Sequence, residues 1–127
     1  MLESQEQNTT VMRVITAAAV EYAKGGYSVV VDGIIGPWFA ELVTETFADH
    51  GVGWHYAILL SASDVNVERS RSRSKTITQG VLAKMYDEFT SHLDGYEKHV
   101  VDSTHLDAAQ TAAVVCKNME AGELQVR

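Results

Sequence analysis

Short β-branched runs that alternate with helix-period stretches predict an α/β protein, a three-layer parallel sheet with helices on both faces and its first strands missing. Three observations carry this expectation. The runs Tyr27-Ser28-Val29-Val30-Val31-Asp32, His55 to Leu60 and His99-Val100-Val101-Asp102 are apolar without alternation, as in strands covered on both faces. Between them, apolar residues recur at three- and four-residue spacing, the period of an amphipathic helix. The chain also opens on a helical pattern and offers few strands, a small sheet for this architecture.

Each element has its own signal. Residues 1–9 are polar and are expected to be loose. Val11, Val14, Ile15, Ala18, Ala19 and Tyr22 form one helical stripe, with Thr9 or Thr10 as cap and Gly25-Gly26 as the left-handed stop. The strand Tyr27–Asp32 follows. Pro37 suits a first helical turn, Phe39, Leu42, Val43 and Phe47 continue that helix, and Gly51 ends it. After the strand His55–Leu60, Ser63 can cap a helix from Asp64 that carries Arg69 and Arg73. Thr78 opens a further helix with Val81, Leu82, Met85, Tyr86 and Phe89 inward. The strand ending at Asp102 leads to a last helix from Asp107 to about Met119, with a frayed tail from Gly122. The order α-β-α-β-α-α-β-α implies parallel pairing with right-handed crossovers. With no repeats and no linker, residues 1–127 read as a single, partial domain.

Composition narrows the function classes. Of 127 residues, 46% are hydrophobic and 21% charged, which excludes a disordered chain. A formal net charge of −7 leaves no basic footprint for nucleic acid; the one basic cluster, Arg69, Arg71 and Arg73, is local. No apolar run is long enough to span a bilayer, and the polar, acidic start from Met1 to Thr10 is unlike a signal peptide. Cys116 is the sole cysteine, so a reducing, cytoplasmic setting is expected, with Cys116 buried and inert in the last helix.

Ligands of open parallel sheets bind at the carboxyl ends of the strands, where Asp32, Ser61 and Asp102 fall. Val-Val-Val-Asp-Gly sets a carboxylate just outside the apolar layer, and Gly33 admits close approach. Asp32 can hold Mg²⁺ directly or through water, or it can cap the turn that follows; spacing alone leaves both open. Arg69 and Arg73 share a helix face, either to grip phosphate oxygens or as a solvated basic stripe. Trp38 can wall a substrate pocket, whereas Phe39 reads as core. The five histidines show no metal-binding spacing, and no nucleophile elbow is present. No Gly-Lys pair occurs anywhere, so the G-x-x-x-x-G-K-S/T loop that cradles phosphates is absent, as is G-x-G-x-x-G.

The run Ala23 to Phe39, with Val29-Val30-Val31-Asp32-Gly33 at its centre and Gly36-Pro37-Trp38-Phe39 at its end, resembles the middle of small P-loop kinases of the chloramphenicol phosphotransferase-like type, within the P-loop NTPases often called AAA-type ATP-binding proteins. Tyr56-Ala57-Ile58-Leu59-Leu60-Ser61, followed by Asp64-Val65 and Arg69-x-x-x-Arg73, is similar to that family's fourth strand and lid helix. Thr78 to Phe89 looks like the helix after the lid, and His99-Val100-Val101-Asp102-Ser103-Thr104 resembles the last strand. The resemblance covers about Gln5 to Val115. It implies that Asp32 serves Mg²⁺ or the attacking site, that Asp32, Gly33, Arg69 and Arg73 meet ATP and its Mg²⁺, that Arg69 and Arg73 steady charge in transfer, and that Trp38 touches the acceptor. The family's first strand, Walker A loop, following helix and next strand have no counterpart here. Because the first of these is central in the family's sheet, the strands at Tyr27–Asp32 and His55–Leu60 would have open edges or pair directly with each other.

The function expected by resemblance is an ATP-dependent transfer of phosphate to a small hydroxyl-bearing acceptor, with weak or no ATP binding by this chain alone. The alternative is a non-catalytic α/β module that pairs with a second copy or a partner through exposed sheet edges. Neither nucleic acid nor a membrane is expected as a partner.

Overall fold

A computed structural model of the chain describes residues 2–62, 68–69 and 79–126. Its backbone divides into two compact units, one reaching to Trp54 with Val126 added, the other running His55–Gln125.

In the first unit, helix α1 (Leu2–Lys24) precedes a 3₁₀ turn at Pro37–Phe39 and helix α2 (Ala40–Asp49). The helix starts well before Thr9 and Thr10, which therefore do not cap it. Their hydroxyls donate back to the carbonyls of Gln5 and Glu6, and residues 1–9, expected loose, contribute Glu and Gln, which are good helix formers. Gly26, at φ 88°, ends α1 as expected for a left-handed stop. The face that packs is Met12, Thr16, Ala19 and Val20; of the expected stripe Ala19 is buried and Ile15 half-buried, while Val11, Val14, Ala18 and Tyr22 are exposed. Met12, Ala19 and Val20 form the core with Val43 and Phe47 of α2, joined by Ile35, Phe39, Leu42, Val52 and Trp54. Thr16 is tolerated on this face because its hydroxyl donates to the Met12 carbonyl at 2.6 Å, as buried polar groups must. Trp54 caps the core edge-on to Phe47, with ring centroids 5.8 Å apart, and its indole N–H donates to Thr44 Oγ1.

The expected strand Tyr27–Asp32 does not form. Its residues adopt no regular structure and are exposed, Val30 at 92%. A strand exists only where a neighbour takes up its N–H and C=O groups. The run has the residues of a strand without such a neighbour, so it does not pair with the His55–Leu60 segment.

In the second unit, β2 (Ile58–Leu60) pairs in parallel with β3 (Val100–Asp102), in the register Ile58↔Val100, Leu59↔Val101, Leu60↔Asp102. The mixed helix and strand character and the parallel pairing agree with the sequence; a three-layer sheet is not formed among the described residues, where each sheet has two strands. Leu59 is 56% exposed, so β2 is not covered on both faces. His99 is not in the strand but in a 3₁₀ turn at Glu97–His99. Its ring is buried against Tyr56 and Tyr96, with Nδ1 2.9 Å from the Tyr56 carbonyl oxygen. Burial, with Tyr96 adding to it, pushes the Tyr56 phenol well above the ordinary tyrosine range.

Helix α3 (Gln79–Ser91) has Met85, Tyr86 and Phe89 half-buried. The Thr78 start, the Ser63–Asp64 cap, Arg71, Arg73 and the side chains of Val81 and Leu82 lie outside the described residues. Helix α4 (Ala108–Glu120) starts in a capping box between Asp107 and Gln110. Cys116 is exposed, contrary to the expectation of a buried thiol. The helix turns its half-buried Thr111, Val114, Val115 and Asn118 inward, and Cys116, one residue and so about 100° on from Val115, falls outside that stripe.

The tail is tied rather than frayed. Gln125–Val126 form β4, which pairs with β1 (Trp54–His55), and the Tyr56 N–H donates to the Leu124 carbonyl at 2.8 Å. Leu124 has no exposed surface. Among the described residues no helix is long and apolar enough to cross a membrane. Leu124→Ala is expected to lower stability by about 2–5 kcal/mol through the cavity left in a closed site; urea unfolding that shifts by less than about 1 kcal/mol would contradict a tail packed in this way.

Candidate functional site at the carboxyl ends of the parallel strands

The parallel pair is prolonged past its last register pair by polar contacts. Ser103 N–H donates to the Leu60 carbonyl at 2.7 Å, and Ser103 Oγ donates to the same oxygen at 3.3 Å. Thr104 Oγ1 accepts from the Ala62 N–H at 2.9 Å and so ties the loop after β2 to the loop after β3. Asp102 Oδ1 accepts from the Thr104 N–H at 3.0 Å and from the Thr104 hydroxyl. This is the turn that a side-chain carboxylate makes with the backbone two residues on. Ser61 and Ser103 are buried, while Asp102 is exposed at the rim. Two hydroxyls, a carboxylate and a threonine therefore gather where ligands of parallel sheets bind.

Arg69 closes this end. Its Nη2 donates to the carbonyls of Ser103 at 2.9 Å and Leu106 at 3.0 Å, and Nη1 donates to Ser103 Oγ at 3.3 Å. The Leu106 N–H also donates to the Ser103 carbonyl, at 3.2 Å, so one guanidinium grips a complete turn. Three of the five N–H groups of an arginine are committed in this way. Anchoring of this kind favours arginine over lysine because the donors form a rigid fork.

The Thr104 hydroxyl, followed by the Thr104 N–H, holds the Asp102 carboxyl below the ordinary aspartate range, and nearby His105 acts in the same direction. Asp102 is thus a carboxylate that accepts hydrogen bonds across the neutral range and is not a proton donor there.

The other residues singled out in the sequence stand elsewhere. Asp32 and Gly33 lie in the exposed segment of the first unit, and Arg69 lies in the second. Arg73 is outside the described residues, so no common geometry of Asp32 and the two arginines is described. Asp32 can give Mg²⁺ one carboxylate, with water and phosphate oxygens completing the shell; among the described residues no group of three or more His, Cys, Asp or Glu side chains gathers to hold a metal. Trp38 is 38% exposed, and its ring lies over Gly36, where any Cβ would collide with it. Gly36 is therefore the residue that lets this indole sit as it does. Phe39 is half-buried against the core, as expected.

The clamp from Arg69 and the tie from Thr104 were not anticipated as such. The signal available was Asp-Ser-Thr directly after a β-branched pair, a turn-forming sequence. The chain matches no protein-family model and no curated protein.

Two outcomes follow. Arg69→Ala is expected to cost about 1–3 kcal/mol, the range for hydrogen bonds from a charged donor, with Arg69→Lys recovering only part; equal stability of all three chains in urea would show that the clamp is idle. For Asp102, the folded value lies below the unfolded one, so its stabilising contribution is present above the ordinary aspartate value and is lost as pH falls through the lower folded value. Thr104→Val should raise the Asp102 titration in an NMR pH series, and an unchanged midpoint would remove the hydroxyl as the main cause.

Proposed function

We propose that this chain supplies the lid and acceptor part of an ATP-dependent small-molecule phosphotransferase, with the phosphate-cradling loop coming from outside its residues. The observation that supports this reading is the carboxyl end of the β2–β3 pair. A parallel pair ends there in buried hydroxyls under an arginine that donates to Ser103 Oγ and to the carbonyls of Ser103 and Leu106.

Phosphoryl transfer needs little covalent help from a protein; it needs aligned oxygens and neutralised charge. In this reading Arg69, fixed at one edge by Ser103 and Leu106, meets phosphate, with Arg73 as the second cation that the resemblance implies. Asp32 holds a divalent cation through one oxygen or orients the acceptor hydroxyl, and Trp38 presents a flat apolar wall to that acceptor. Mg²⁺, when bound with ATP, would neutralise charge between the outer phosphates. None of these residues replaces the backbone N–H cradle of a G-x-x-x-x-G-K-S/T loop, so the chain alone should hold ATP weakly and turn nothing over.

The decisive experiment fuses a strand, a G-x-x-x-x-G-K-S/T loop and a helix ahead of Met1 and measures transfer of labelled γ-phosphate to a panel of hydroxylated small molecules. Transfer is expected for the fusion only, falling about 100-fold or more in Asp32→Asn and Arg73→Ala, the scale for losing one charge-stabilising group. Micromolar binding of Mg²⁺–ATP to the unfused chain in calorimetry, or rates in the two variants equal to that of the unsubstituted fusion, would overturn the reading.

A further inference from the structure

Eight of the eleven large apolar side chains exposed among the described residues lie between Val11 and Ile34. They fall into two groups that touch. Val11, Val14 and Tyr22, at 48%, 64% and 60% exposure, recur at the spacing of one helix face and make a second apolar stripe on α1, distinct from the face packed on α2. Tyr27, Val30 and Ile34, at 67%, 92% and 67%, belong to the extended segment that follows. The Tyr22 and Tyr27 rings meet edge to face with centroids 6.0 Å apart, so helix stripe and segment are continuous.

A patch of eight such side chains leaves on the order of 500 Å² of apolar surface in water, the upper range for a single patch on a monomer. Two such patches in contact reach about 1,000 Å², the threshold for a specific interface. The charge pattern favours contact between copies. The chain carries a net charge of −7, yet from Gly25 to Ala40 the only charged residue is Asp32. Facing itself, this stretch meets almost none of the repulsion that opposes contact elsewhere. Direction follows from the same residue. Parallel in-register pairing would set the two Asp32 carboxylates side by side, which is unfavourable. Antiparallel pairing about Val29 sets Asp32 opposite Gly26 at both outer ends and satisfies the two-fold symmetry that a self-complementary patch requires.

We propose that Tyr27–Val31 is a conditional strand, which orders by antiparallel pairing with the same segment of a second copy while the exposed stripes of the two α1 helices are covered in the same dimer. This does not depend on phosphotransfer, and it places the pairing surface on an unformed strand rather than on an open edge of the formed sheet.

Sedimentation velocity of the full chain from about 1 to 200 µM, a range that brackets the affinity of a standard-size interface, tests it. The mass should double from 13.9 kDa with rising concentration. Val30→Lys and Val14→Glu, both at well-exposed positions where the fold is not at risk, should each restore the single-chain mass, while Leu59→Lys, on exposed β2, should leave the dimer unchanged. In a Cys116→Ser background, Val29→Cys should crosslink under mild oxidation, since residues opposed across an antiparallel pair lie within disulfide reach. A chain of single mass at every concentration, growth past the dimer, dissociation by Leu59→Lys, or a dimer that Val29→Cys fails to crosslink would each overturn the proposal.

Discussion

A strand is a strand only when something accepts its hydrogen bonds, and the layout of this protein follows from where that condition is met. Ile58–Leu60 and Val100–Asp102 find each other in parallel register, and the short segments at Trp54–His55 and Gln125–Val126 pair with each other. Tyr27–Val31 carries three consecutive β-branched residues, more than any of these segments, and has no regular structure. Backbone pairing, rather than side-chain propensity, decides the outcome, because β-propensity expresses fit to a pleated, half-buried surface that a neighbour must first create.

The parallel pair is short, and three residues per strand leave few ladder bonds. Its carboxyl end is held by side chains instead. Ser103 continues the ladder to Leu60, Thr104 bridges to Ala62, and Arg69 binds the turn from Ser103 to Leu106. The cost of ordering polar residues at a strand end is offset by satisfying nearly every donor and acceptor locally. One cluster therefore holds a short sheet together at its carboxyl end, with Asp102 exposed at the rim.

The sequence made some of this legible and not the rest, for identifiable reasons. Gly26 as a stop, Pro37 in a first turn, Asp107 at the head of the last helix and the strands after Tyr56 and His99 were readable because each rests on local backbone chemistry. Helix α1 begins at Leu2, well before the apolar pattern that starts at Val11, and the expected stripe is only partly the packed one. Ala19 is buried and Ile15 half-buried, whereas Val11, Val14, Ala18 and Tyr22 are exposed and Met12, Thr16 and Val20 are buried in their place. Thr16 concealed that face, since its hydroxyl is satisfied by the helix's own carbonyl and does not count against burial. Tyr27–Asp32 read as a strand because periodicity cannot tell whether a partner exists. The Arg69 clamp joins residues 34 positions apart in the chain, and no local pattern carries that information.

The unpaired segment and the site chemistry meet at Asp32. A carboxylate aligns a cation or a hydroxyl only if its backbone is held to within a fraction of an ångström, and an exposed segment does not hold it. Whatever pairs with Tyr27–Val31 therefore also sets the position of Asp32. An antiparallel twin orders the segment but carries the two carboxylates to opposite outer ends. A parallel neighbour would instead hold Asp32 at the end of a paired strand. The segment has two edges, yet its apolar side chains and the α1 stripe beside them can be covered only once. Pairing with a twin, as proposed above, would therefore use the surface that any other partner of this segment needs.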